Sequence, residues 1–115
     1  MTRRLEQVNE LIYRELSKII EREIEFPEGV LVSITKVETL PDLELAKIFF
    51  TIYPKEKESE ILKILLRPRR YLQHLLRQRI ILKPMPKLKF LLAKEGDEEI
   101  VEKVERLLDQ IEKSG

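Results

Sequence analysis

Apolar residues recur at two different periods along the chain, and each change of period marks a new element. Leu5, Val8, Ile12, Leu16, Ile19 and Ile20 fall at three- and four-residue steps, which predicts one helix over residues 3–24. Thr2 can cap it. FPEG at 26–29 stops it, because Pro27 cannot extend a helix and Gly29 permits a turn. The period then drops to two. VLVSITKVETL (30–40) is rich in β-branched residues, but Val32 and Ile34 share one face while Val37 falls on the other. A bulge near Thr35–Lys36 restores the register. ELAKIFFTIY (44–53) alternates cleanly, with Ala46, Ile48, Phe50 and Ile52 on one face and Lys47, Phe49, Thr51 and Tyr53 on the other. With PDLE (41–44) as the turn, the two strands read as an antiparallel hairpin.

Beyond Pro54 the helical period returns. EKESEILKILL (56–66) predicts a short helix with Glu56, Glu58 and Glu60 at its positive end. The residue before a proline is disfavoured in the α region, so this helix is expected to end near Leu66 or Arg67. A second helix begins at Pro68 and runs to 82. Tyr71, Leu72, Leu75, Leu76 and Leu82 gather on one side of it, Arg70, Gln73, His74 and Arg77 on the other, with Arg69 at the flank. Arg79 falls inside the apolar side, from which its guanidinium is expected to snorkel to solvent. After the PMP at 84–86, KLKFLL (87–92) predicts a third strand with Leu88, Phe90 and Leu92 inward. Gly96 breaks the chain and Asp97 can cap a last helix, 97–113, striped by Ile100, Val101, Val104, Leu107, Leu108 and Ile111. The order α-β-β-α-α-β-α predicts an α+β fold, a three-stranded sheet with helices on one face.

Composition bounds this to one domain: 115 residues suffice for a single core. The net charge is only +1, yet residues 61–94 hold ten basic side chains and no acidic one. Within them, RPRRYLQHLLRQR (67–79) has five arginines. A solvated face normally mixes signs. Ten like charges repel one another unless a polyanion relieves them, and nucleic acid is the usual polyanion, ahead of lipid headgroups. The joint at Pro68 adds a helix N-terminus, which attracts anions, beside Arg67, Arg69 and Arg70, which grip phosphate bidentately. Pro68 also reads simply as a stiff connector. Lys47, Phe49, Thr51, Tyr53, Lys87 and Lys89 share the open sheet face, either as a base-stacking platform or as cross-strand pairs. Residues 95–115, with three basic and eight acidic side chains, are expected to screen part of the basic face and compete with RNA.

Catalytic chemistry finds no foothold. There is no Cys, hence no disulfide and no thiolate metal site. His74, the only histidine, has no acidic neighbour in sequence. Gly-rich phosphate loops and two-histidine metal sites are missing too. We therefore expect no enzyme, no cofactor and no metal. No apolar run approaches the roughly 20 residues of a membrane span, and no apolar core follows the arginines of MTRRLEQ. A cytoplasmic, monomeric protein is expected.

The order of elements is that of a type II KH domain with an added C-terminal helix, and SITKVETLPDLELAKIFFTIY (33–53) resembles the hairpin signature of the ribosome-binding factor A family. Val37–Glu38, Asp42–Leu43 and Ala46–Lys47 match its paired positions, PKLKF (86–90) its third strand, and REIEFP (22–27) the end of its first helix. The resemblance covers about residues 3–92. It departs at Pro68-Arg69-Arg70, where the family has an Ala-x-Gly joint and standard KH domains a GxxG loop. It departs again at Ala93, Lys94 and Glu95, where many members have an Asp and a Ser.

The resemblance implies a KH-like RNA-binding core over 1–94, followed within the same domain by an acidic C-terminal helix, 95–115. It implies binding to the immature 30S ribosomal subunit through 16S rRNA, near its 5′ end and the decoding-region helices. Late small-subunit maturation and growth in the cold would depend on it. The expected RNA-binding residues are Arg3, Arg4, Lys63, Arg67, Arg69, Arg70, Gln73, His74, Arg77, Lys83 and Lys87. A KH-like module acting on another RNA, or a helical dimerisation or protein-interaction domain, are the alternatives.

Overall fold

The computed structural model describes residues 3–93 and 98–114. The expected caps and breaks at Thr2, Gly96 and Asp97 lie outside them, as does the side chain of Ile100. Among the described residues there are four helices: α1 (Arg3–Glu23), α2 (Glu58–Leu66), α3 (Arg69–Arg79) and α4 (Glu98–Ser114). The strands are β1 (Leu31–Thr39), β2 (Leu45–Tyr53) and β3 (Lys87–Leu92), and a 3-10 turn, Lys55–Lys57, leads into α2. The sheet order is β1-β2-β3. β1 and β2 run antiparallel, with the register shift falling between Ile34 and Lys36 as the alternation required. β2 and β3 run parallel, which needs a long crossover, and α2 and α3 supply it.

The core lies between the helices and one face of the sheet. Leu5, Val8, Ile12, Leu16, Ile19 and Ile20 of α1 are all buried. Against them sit Ile34, Val37, Ala46, Ile48, Phe50 and Ile52 of the hairpin. Phe50 meets Phe90 of β3 edge-on at 5.1 Å between ring centroids, the arrangement that ring quadrupoles favour. α1 packs on β1 and α3, while α4 packs on α2 and β3. Gly29 takes φ +83° where the chain turns back into β1, a conformation that costs glycine little.

Three expectations need correction. α3 covers residues 69–79, not 68–82. Pro68 stands just before it with ψ 17°. At the other end Ile80 is extended and turns its side chain into the core, so burial of a β-branched residue ends the helix early and Leu82 is not part of it. Arg67 stays α-helical, its N–H donating to the Lys63 carbonyl at 3.0 Å. α2 thus ends at Leu66 with Arg67 as its cap, as expected, although Arg67 keeps α geometry because the pre-proline restriction is a preference and not a ban. Tyr71 is exposed, and its hydroxyl donates to Glu23. Leu107 and Ile111 of α4 are exposed too; Val101, Val104 and Leu108 carry its contact with the core.

Candidate nucleic-acid interface

α3 is held by Leu72 and Leu76, both fully buried. Its opposite face, with the start of β3 and the inner side of α4, walls a groove of about 460 Å³. Arg69, Arg70, Gln73 and Arg77 line it from α3, Lys87 and Leu88 from β3, and Glu105 and Asp109 from α4. Gln73 fixes the width. Its Nε2 donates to the Pro86 carbonyl at 3.0 Å, and its Oε1 accepts the Leu88 N–H at 2.8 Å. Both ends of the amide are therefore spent on backbone at the free edge of β3, and Gln73 serves to position that strand.

The cations divide into two sets. Arg69 and Arg70, in the first turn of α3, are bound to α4. Asp109 Oδ1 accepts from Arg69 Nη2 at 2.6 Å and from Arg70 Nη2 at 3.1 Å. Glu112 takes Arg70 Nη1 at 2.8 Å, and Glu105 lies 3.7 Å from Arg69 Nε. Arg69 also donates to the Leu66 carbonyl at 2.9 Å, closing the end of α2, and its side chain is only 14% exposed. Burial works against the Asp109 carboxylate, but the two guanidinium charges outweigh it and hold its pKa below the ordinary aspartate value. The hydrogen bond to Glu112, with the charges of Asp109 and Glu112, raises the pKa of Arg70 further. Burial raises that of Glu105, against the pull of Arg69 and Lys89. Carboxylates of α4 thus meet Arg69 and Arg70 of the basic segment.

The second set, among the described residues, has no ion pair: Arg3, Arg4, Lys63, Arg67, Arg77, Lys83 and Lys87 are all exposed. Arg77 and Lys87 line the groove. Arg77 also lines a neighbouring cleft with Lys83, and Lys83 shares a third with Arg4. Shared walls therefore join Lys87, Arg77, Lys83 and Arg4 into one stripe from β3 to the start of α1. Arg3 is beside it in sequence. Lys63 and Arg67 stand on α2, one helical turn apart, and line none of these clefts. His74 is exposed, its Nε2 3.3 Å from Gln78 Nε2.

Arg79 does snorkel. Its guanidinium leaves the apolar side to reach Glu15 at 3.1 Å on α1, a bond that lowers the Glu15 pKa. On the open sheet face, Lys36 covers the Phe49 ring at 5.8 Å, and Thr35 Oγ1 donates to the Phe49 carbonyl. Phe49 is half-buried beneath them. Lys89 binds Glu102 of α4 at 3.2 Å. That face is built largely of structural pairs, and Tyr53, 64% exposed, is its open aromatic ring. Sequence reasoning missed the Gln73 clamp, for which a lone Gln on a polar face gives no signal, and the Lys36–Phe49 pair, which the bulge creates by setting Lys36 opposite Phe49.

The arrangement offers positive charge and hydrogen-bond donors, a means of binding. Among the described residues no group of three His, Cys, Asp or Glu could hold a metal ion, and no helix is long and apolar enough to cross a membrane.

Comparison with known proteins gives one consistent result. The family model described as Ribosome-binding factor A matches residues 4–108. A ribosome-binding factor A of Coxiella burnetii (strain CbuG_Q212) is 32% identical over 114 residues, 99% of this chain and 92% of that protein. One from Nitrosococcus oceani is 38% identical over 88 residues, 76% of this chain and 69% of that protein. The fold is similar to the crystal structure of ribosome-binding factor A from Thermus thermophilus, with a TM-score of 0.63 at 20% identity, over 79% of this chain and 99% of that one. A homology model of the Thermus thermophilus factor, fitted into a cryo-EM map of a 30S complex, matches with a TM-score of 0.56 at 23% identity, over 70% and 86% of the two chains. The three-stranded mixed sheet, the helix order and the match over nearly the whole length agree, and the chain belongs to the ribosome-binding factor A family.

Proposed function

We propose that this protein binds the 30S ribosomal subunit through 16S rRNA and assists late maturation of that subunit. The observation that carries the reading is the stripe of cations without ion pairs among the described residues, Lys87–Arg77–Lys83–Arg4, in a chain of this family. The relative fitted into a map of a 30S complex supports the choice of partner. Arg77, Lys83, Lys87, Arg3 and Arg4 are the phosphate contacts, with Lys63 and Arg67 extending the field along α2. Gln73 holds the groove open, and His74, exposed on the same helix, adds a hydrogen-bonding group. The protein acts as a cytoplasmic monomer and without catalysis. By preferring an immature rRNA conformer near the 5′ end and the decoding-region helices, it shifts a population of conformers.

The test is association of the purified protein with immature and mature small subunits. Preferential retention on the immature particle, abolished by Arg77→Ala with Lys87→Ala, is the expected result. Equal retention of parent and variant on both particles would remove the proposal.

A further inference from the structure

We infer that the carboxylates of α4 occupy a phosphate site: Asp109 and Glu112 stand where RNA phosphates bind Arg69 and Arg70, and RNA takes the whole groove by displacing the last turns of α4. This rests on the reading above that the groove binds RNA.

The geometry is that of a captured anion. A single Asp109 oxygen accepts from two guanidinium groups, at 2.6 Å and 3.1 Å. Phosphate oxygens are held by arginine in the same charge-assisted manner. Glu112, three residues on and hence on the same helix face, supplies a second anion to Arg70 at 2.8 Å. Both arginines lie in the first turn of α3, which holds no acidic residue of its own and is preceded by Pro68, which has no side-chain acceptor to cap it. That end of the helix carries the positive pole of the dipole.

Position makes the two occupants exclusive. Arg69 and Arg70 line the same groove as Arg77 and Lys87. A phosphate chain along the Arg77–Lys87 end therefore runs into Asp109 and Glu105 at the other, where like charges repel it. The hold of α4 is also graded along its length. Val101, Val104 and Leu108 are buried against the core. Beyond Leu108 the helix lies more open: Ile111 is 60% exposed, and the Arg70 side chain is 71% exposed. Exposed ion pairs add little to stability, because water and salt screen them. A polyanion presenting several phosphates can exchange first with the exposed Arg70 pairs and then with Asp109 at Arg69, whose side chain is 14% exposed and anchored on the Leu66 carbonyl, while the buried half of α4 stays in place. Coupling of this kind is reciprocal: whatever loosens the end of α4 strengthens RNA binding, and RNA loosens the end of α4.

The experiment uses the full chain and a short single-stranded RNA. Asp109→Asn with Glu112→Gln keeps helix shape and removes both charges. Affinity should rise several-fold. The slope of log K against log salt should steepen by about one to one and a half, since each further phosphate neutralised on a single strand adds about 0.7. Arg77→Ala with Lys87→Ala, measured alongside, should weaken binding. If the α4 variant binds like the parent while the Arg77/Lys87 variant is weak, the inference falls and the groove reading stands. If neither variant differs from the parent, both fall.

A second measurement leaves the α4 carboxylates in place. The chain has no Cys, so nitroxide labels at Lys113→Cys and Glu60→Cys report the distance between the ends of α4 and α2. Saturating RNA should lengthen and broaden that distance. An unchanged distance overturns the inference.

Discussion

Arg70 and Arg77 lie two turns apart on one face of α3, and the same groove receives both. Their surroundings differ. Arg70 is tied to Asp109 and Glu112, whereas Arg77 has no ion pair among the described residues. A basic residue is thus available to a partner only so far as the rest of the fold leaves it unclaimed. The basic run of 61–94 thus holds residues claimed by acidic side chains of the fold, Arg69, Arg70 and Lys89 by α4 and Arg79 by Glu15, and an open stripe that continues across α3 to the start of α1.

The largest effect comes from removing the support common to both arginines. Leu72 and Leu76 are fully buried on the opposite side of α3. Each, replaced by Ala, should cost about 2–5 kcal/mol. Together they approach the total stability of a small domain, about 5–15 kcal/mol. Thermal unfolding should show the double variant largely unfolded, with RNA binding lost as a consequence.

The comparison sharpens when each arginine is removed alone. Arg77→Ala should weaken RNA binding by about 1.5 kcal/mol, roughly tenfold, the scale of a charge-assisted contact. Its unfolding midpoint should barely move, because exposed substitutions usually change stability by under about 0.5 kcal/mol. Arg70→Ala should weaken binding less, since RNA then has two fewer ion pairs to break. Titration of both variants with the same rRNA fragment checks the order. Equal losses would mean that α4 offers no competition.

Acid should act on one of the two arginines and spare the other. The Asp109 pKa is held below the ordinary aspartate value. Its contribution is therefore complete above that value and is lost as pH falls through the depressed one. Glu15, lowered by Arg79, behaves alike on α1. Glu105, raised by burial, has the opposite sign, because its protonation favours the folded state as pH falls. The end of α4 should thus loosen below about pH 4. A nitroxide distance measured against pH should report this in the parent, and Asp109→Asn should show a flatter profile over the same range.

Much of this was legible in the chain because periodicity reports burial directly. The stripe of α1, the faces of β2 and the bulge at Thr35 follow from where apolar side chains must go. The end of α3 was not legible. Residues 80–82 continue an apolar pattern that suits a helix, and only the tertiary pull on Ile80 turns them extended. The basic run was visible as charge, and the acidic tail as its complement. Which arginines the tail would claim depends on how α4 packs on α2 and β3, and local sequence does not specify that. Leu107 and Ile111 misled for a related reason: a wide apolar stripe does not say which of its edges meets the core.

The central claim, that the open stripe holds rRNA by its phosphates, is tested most directly by the salt dependence of binding. With four to six phosphates neutralised, log K for an rRNA fragment should fall against log salt with a slope of about −3 to −5. Arg77→Ala with Lys87→Ala should reduce the magnitude of that slope by about 1.5. A slope near zero in the parent, or one that the double substitution leaves unchanged, would contradict the account and move the RNA site away from α3.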